Sequence, residues 1–285
     1  MRIFRMLFCV LGISLLQISF AHAQTSPTKP PPQTKSLEHE FFKNILKDQR
    51  AIWTSPFRID RSDAKWMVPS GLGLAALITT DRITGDEIGE ANRQVNVSRD
   101  ISYIGSTYGL AAFAGATYFI GRQTNNARAR ETGLLSLEAL IDSGIVVGTL
   151  KGISQRARPL DGHERSEFFD GGSSFPSGHS IGVWSVATLV AHEYSKSRAV
   201  QVAAYGLASA VSVARFTGHK HYISDVLVGS GLGYGIGRYV FNAHHRTNST
   251  DSDTTEQLNR KSYPAIEPLY NRHLRQYGVA LTWNF

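Results

Sequence analysis

Three short stretches carry the residues able to do polar chemistry. The first is Lys151, followed seven residues later by Arg158-Pro159. The second is Ser177-Gly178-His179, after Pro176, and the third holds Arg215, His221 and Asp225. Pro176 cannot extend a preceding helix and Ser177 is a favourable N-cap, so the second stretch reads as a loop feeding a helix N-terminus. Free backbone N–H groups and the helix dipole favour an anion there. Gly178 allows close backbone approach, and His179 can carry a proton near neutral pH. His221 and Asp225 stand at i, i+4, close enough for the carboxylate to hold one imidazole nitrogen and leave the other free as base or nucleophile. Lys151, Arg158 and Arg215 are cations suited to phosphate oxygens, the arginines in bidentate contact.

Each stretch alone has a plainer reading. Lys151, Arg156 and Arg158 read as a solvated basic loop, and Asp225 as a helix cap beside a surface histidine. A metal site made of His219, His221 and Asp225 is disfavoured, because alternation sets the two histidines on opposite sides of an extended loop. What joins the stretches is the order of helices around them. Apolar periodicity and end signals predict helices over about Ala129–Lys151, Gly178–Ser195, Ala199–Arg215 and Ser224–His244. Antiparallel neighbours bring the end of the first, the start of the second, the end of the third and the start of the fourth to one face. One histidine then attacks phosphorus while the other protonates the leaving oxygen. Positioning and charge stabilisation are what phosphoryl transfer mainly needs.

Lys151-x6-Arg158-Pro159, Pro176-Ser177-Gly178-His179 and Arg215-x5-His221-x3-Asp225 resemble the three-part signature of the type 2 phosphatidic acid phosphatase (PAP2) superfamily. That superfamily includes bacterial class A acid phosphatases and vanadium haloperoxidases. The resemblance covers residues about 60–245 and implies an all-α fold, a bundle of about six core helices. It implies His221 as a nucleophile forming a phosphohistidine, Asp225 orienting it and His179 as general acid. It implies Lys151, Arg158, Ser177, Gly178 and Arg215 as phosphate-binding residues, with no metal and no cofactor. Ala214 departs from the pattern: the family usually has Ser before the arginine, and its loss removes one hydroxyl contact. The implied substrates are phosphate monoesters or pyrophosphates, with lipid phosphates of the phosphatidic acid or isoprenoid type first and soluble monoesters second. A vanadate-dependent haloperoxidase is a third alternative.

Two further helices complete the expected six, one from Ser62-Asp63 to about Thr80 and one over Ile101 to about Arg122, capped by Ser98 or Asp100. Arg82–Arg99 reads as a polar loop. Ile101–Gly121 is uncharged and is the stretch best suited to span a membrane. Gly229, Gly233 and Gly237 share one helix face at i, i+4, which lets a neighbouring helix approach closely. Ahead of the bundle, Leu37–Ala51 has Phe41, Phe42, Ile45 and Leu46 at helical spacing, an amphipathic helix expected to dock on the main body. At the other end, alternation from Tyr277 to Phe285 predicts one short β-strand.

The 285 residues are 42% apolar and 19% charged, which excludes a disordered chain. Residues 1–23 read as a secretory signal: Arg2 and Arg5, an apolar run from Met6 to Phe20, then Ala21-His22-Ala23. Pro-rich 24–36 reads as a tether, 37–60 as the amphipathic helix and loop, 61–245 as the catalytic helical domain and 246–285 as a polar linker and tail. The net charge is +7, and loss of Arg2 and Arg5 would leave +5, a balance suited to anionic small molecules or an anionic membrane surface. No Lys/Arg block with interleaved aromatics points to nucleic acid. The lone Cys9 falls in the leader. The expected location is the periplasm or cell envelope, with contact to a membrane. An integral inner-membrane protein whose site faces the periplasm is the alternative.

Overall fold

The computed structural model describes residues 34–58, 64–87, 91–160, 166–256, 265–271 and 276–282. The expected leader and most of the Pro-rich tether lie outside these. From Glu38 onward the chain forms one compact unit. Its helices are α1 (Thr34–Thr54), α2 (Ala64–Glu87), α3 (Asn92–Ile104), α4 (Thr107–Gln123), α5 (Ala127–Ser154), α6 (Gly178–Glu193), α7 (Arg198–Thr217) and α8 (Ile223–Glu256). A 3-10 turn, Ser55–Arg58, follows α1, and an antiparallel hairpin, β1 (Ala265–Asn271) and β2 (Gln276–Thr282), follows α8. The body built by these eight helices is all-α, as expected.

The centre is α6. Ten of its sixteen residues are buried, and they feed two apolar clusters. On one side Val183, Val186 and Ala187 pack with Leu110, Leu140, Ala208 and Val211. On the other Ile181 and Leu189 pack with Leu135, Ala139, Val146, Ile236 and Val240. The glycine face of α8 lies against α6 as its spacing predicts. A Cβ on Gly229, Gly233 or Gly237 would stand 2.7, 2.3 or 2.2 Å from the carbonyl oxygens of Ser177, Ile181 and Ser185. Gly231 and Gly235, on the other side, would meet nothing within 4 Å.

Several expected boundaries are corrected. Arg82–Arg99 is not a loop: α2 continues to Glu87 and α3 begins at Asn92. Asp81, on α2, is fully buried against the bundle, and this tertiary anchor carries the helix past its polar surface residues. The expected Ile101–Arg122 helix is two helices, divided at Gly105 and restarted by Ser106, whose side chain caps the Gly109 N–H. Its candidate membrane span is therefore broken. Two other described helices are long and apolar enough to cross a membrane by length and composition. They are α5 and α7, whose apolar windows are 50% and 22% buried. The last core helix does not stop at His244 but runs to Glu256. As far as Thr282 the C-terminal alternation is β2 of a hairpin, with Tyr270 opposite Tyr277 and Ile266 opposite Leu281; residues 283–285 lie outside the described residues.

Candidate active site

All three sequence stretches meet at one end of the bundle. Lys151 sits in the last turn of α5, Ser177 is the N-cap of α6, Arg215 lies in the last turn of α7, and Asp225 in the first turn of α8. Helix ends impose the charge pattern: cations are comfortable at the C-termini of α5 and α7, and Asp225 at the N-terminus of α8. Asp225 also caps its own helix, its Oδ2 accepting the Tyr222 N–H at 3.0 Å.

Asp225 is fully buried and fully engaged. Its Oδ2 accepts from Ser174 Oγ at 2.5 Å and lies 3.6 Å from His221 Nδ1. Ser174 Oγ is also 3.5 Å from His221 Nδ1. Asp225 Oδ1 accepts from Arg156 Nη1 at 2.6 Å. Burial alone would raise the Asp225 carboxyl, but His221, Arg156 and Ser174 together hold it below the ordinary carboxylate range. His221 moves the other way. Its burial, opposed by Asp225 and assisted by Arg215 and Lys151, lowers it to about 4. At neutral pH His221 is therefore a neutral imidazole with Nδ1 turned to the carboxylate side, which leaves Nε2 as the nitrogen available for attack.

The cations crowd on the facing side. Lys151 Nζ donates to the Ser173 carbonyl, and Arg158 Nη2 donates to Ser173 Oγ at 3.2 Å. Burial and then Arg158 and Arg215 lower Lys151 to about 8, partly offset by Asp225. Burial and Arg158 lower Arg215 to about 10, and its Nε has no hydrogen-bond partner among the described residues. His179 falls to about 4 through burial, then Arg215, His221, Lys151 and Arg158. These mutual effects place five groups around one electropositive space. The α6 N-terminus opens on the same end. Ser177, fully buried, makes no side-chain cap bond and instead accepts from Ser180 Oγ at 3.1 Å. The first-turn N–H groups of α6 thus lack their usual side-chain acceptor. A Cβ on Gly178 would stand 4.0 Å from Lys151 Cε, so the backbone there lies beside the lysine stem. His219 is buried in a left-handed backbone turn (φ 54°), and Ala214 is buried in α7.

Sequence reasoning misread one residue and missed two. Arg156, read as part of a solvated loop, is fully buried. Its guanidinium bridges Asp225 and Asp81 (Nη2–Oδ2, 2.8 Å), donates to Ser224 Oγ at 2.7 Å and to the Ser166 carbonyl at 3.3 Å, and lies over the rings of Phe168 and Tyr222. Asp81 comes from α2 and also takes the Ser224 N–H at 3.2 Å. Ser174, two residues before Pro176, holds Asp225. Nothing local marks Asp81, whose partners lie 75 and 143 residues away.

Comparison with known proteins follows the same residues. Residues 132–249 match the PAP2 superfamily model. Over 66 residues the chain is 39% identical to the lipid A 1-phosphatase of Porphyromonas gingivalis, a match covering 23% of this chain and 15% of that protein. Among solved structures, Aquifex aeolicus LpxE is 20% identical, with 57% of this chain and 93% of that one covered and a TM-score of 0.46. The first transmembrane PAP2 type phosphatidylglycerolphosphate phosphatase from Bacillus subtilis is 22% identical, with 73% and 96% covered and the same TM-score of 0.46. The segment similar to the PAP2 superfamily model contains every one of the positions Lys151, Arg158, Ser177, Gly178, His179, Arg215, His221 and Asp225.

Proposed function

We propose that this chain is a phosphoric ester hydrolase acting on lipid phosphates, by way of a phosphohistidine at His221. The observation that carries the reading is the neutral His221, fixed by its Nδ1 side to a buried Asp225 and faced by Lys151, Arg158 and Arg215. The three cations and the α6 N-terminal amides bind the phosphate oxygens. Nε2 of His221 attacks phosphorus as the ester P–O bond breaks, and Asp225 stabilises the positive charge that develops on the ring. The alkoxide leaves with the proton of His179. The phosphate supplies the condition for that proton: by neutralising Arg215, Lys151 and Arg158 it removes charge that keeps His179 unprotonated. A water then gives its proton to His179 and attacks the phosphohistidine, which releases phosphate and restores His221.

The lipid class is favoured by what surrounds the cage. Ile153, Leu160, Val213 and Leu227, each two residues from Lys151, Arg158, Arg215 or Asp225, are 61, 57, 58 and 49% exposed. These exposed apolar side chains stand near the cations along the chain, and such apolar surface suits an amphiphile with its headgroup in the cage and its chains outside. With the leader expected over 1–23, we place the protein at the periplasmic side of the cell envelope, in contact with the membrane that presents its substrate.

The test is phosphate release over phosphatidic acid, an isoprenoid pyrophosphate and p-nitrophenyl phosphate, with His221→Ala beside the native chain. Turnover of the lipids, abolished in the variant, is expected. Full activity in His221→Ala overturns the mechanism, and turnover confined to the soluble ester overturns the substrate class.

A further inference from the structure

A second buried polar cluster lies well away from the phosphate cage. Asp48 on α1, Glu138 on α5 and His244 on α8 each offer one ligand atom, and these atoms lie within 4.8 Å of one another. His244 Nε2 is 2.7 Å from Glu138 Oε1. Asp142, one turn beyond Glu138, accepts Gln49 Nε2 on its Oδ1 at 2.8 Å. The four residues are 3, 1, 8 and 0% exposed in the order Asp48, Glu138, His244, Asp142. Oδ2 of Asp48 and Oδ2 of Asp142 have no hydrogen-bond partner among the described residues. Glu138 is thirteen residues before Lys151, about 20 Å along the helix at 1.5 Å per residue.

Buried carboxyl groups require a proton, a paired cation or a metal. Among the described residues no lysine or arginine makes an ion pair with any of the three carboxyls, whose one charged-type partner is His244. A proton shared between Asp48 and Glu138 neutralises one of the three carboxyls. A divalent ion would neutralise more than one and engage Asp48 Oδ2. Ligands about 2.0–2.2 Å from one ion stand roughly 3–3.5 Å apart, within the spread seen here. One imidazole with carboxylate oxygens is a donor set for zinc, manganese or iron. The docking of α1 gives a separate reason. Its buried residues among those described are Asn44, Ile45 and Asp48, with Ile52 partly buried against the core, while Phe42 and Leu46 are 80 and 73% exposed. Apolar burial alone offers such a helix little.

We propose that Asp48, Glu138 and His244 bind one divalent transition-metal ion of the zinc class, which ties α1 to α5 and α8. The site is structural and stands apart from the phosphate chemistry. Its test is metal loading of the full chain with Zn2+ and with Co2+, followed by desalting and metal analysis. The comparison variants are Glu138→Gln and His244→Gln, with folding checked by circular dichroism. One ion per native chain is expected, with cobalt d–d bands of a nitrogen–oxygen site and a thermal midpoint raised by Zn2+. Each variant should lose more affinity than the roughly 10–100-fold that removal of an outer partner costs. A native chain that retains no ion, or folded variants that bind as the native chain does, overturns the proposal. If both variants misfold, the cobalt spectrum of the native chain decides: nitrogen–oxygen d–d bands support the site and their absence overturns it.

Discussion

Replacing Arg156 by Met should cost more than any other single change near the site. The guanidinium has no solvent exposure and is the one cation paired with Asp81 and Asp225 among the described residues, at 2.8 and 2.6 Å. Breaking a buried ion pair by removing one partner costs about 3–5 kcal/mol, because the other charge stays buried. Here two carboxylates lose their partner, and the ring contacts of Phe168 and Tyr222 at 4.8 and 4.4 Å go as well. The upper part of that range, about 4–5 kcal/mol, is therefore expected. For a body of this size each kcal/mol shifts the midpoint by roughly 2–4 °C, so Arg156→Met should melt about 8–20 °C lower. The assay is thermal unfolding followed by tryptophan fluorescence. The double variant Arg156→Met/Asp81→Asn removes one stranded charge and should recover part of the loss. Sign follows from Asp225. Its depressed pKa contributes stability that is present above the unfolded value near 3.9 and lost as pH falls through the folded one. Without Arg156 that pH dependence should shrink. A variant melting within about 2 °C of the native chain, or a double variant whose losses simply add, refutes the reasoning.

Other expectations rest on single residues. On the proposed mechanism Lys151, lowered to about 8, binds phosphate only when protonated, so kcat/KM should fall tenfold per pH unit above about 8. In Lys151→Arg that limb should move to higher pH; a pH–rate profile checks both. Asp225→Asn should cut kcat by about 10²–10⁴ with little change in KM, measured by steady-state kinetics. His179→Gln should slow alkyl phosphates far more than p-nitrophenyl phosphate, since a good leaving group needs no proton; equal losses on both would remove His179 from the acid role. Gly233→Ala should destabilise by about 1–3 kcal/mol, because its Cβ would stand 2.3 Å from the Ile181 carbonyl oxygen. Gly231→Ala, with open space, should be neutral or stabilising by up to about 1 kcal/mol. Chemical denaturation of the two side by side tests the packing.

The juxtaposition of the candidate site's residues could be read from the chain because its determinants are local. A proline and a serine mark the start of α6, cations gather where α5 and α7 end, and Asp225 stands one turn from His221. Those features depend on caps, dipoles and i, i+4 spacing, which operate within a few residues. The glycine face of α8 was legible for the same reason, since three positions at one spacing share one side of a helix. Tertiary structure alone decided the rest. It made helices of Arg82–Glu87 and Asn92–Arg99, where surface polarity reads as loop, by burying Asp81 of α2 and Ser98 of α3. It turned Arg156 from a solvated arginine into the bridge between two carboxylates, one of them 75 residues away in sequence. It also drew Asp48, Glu138 and His244 from three helices into one cluster. No period or spacing announces such pairings, because a buried charge is defined by what surrounds it in space and not by its neighbours along the chain.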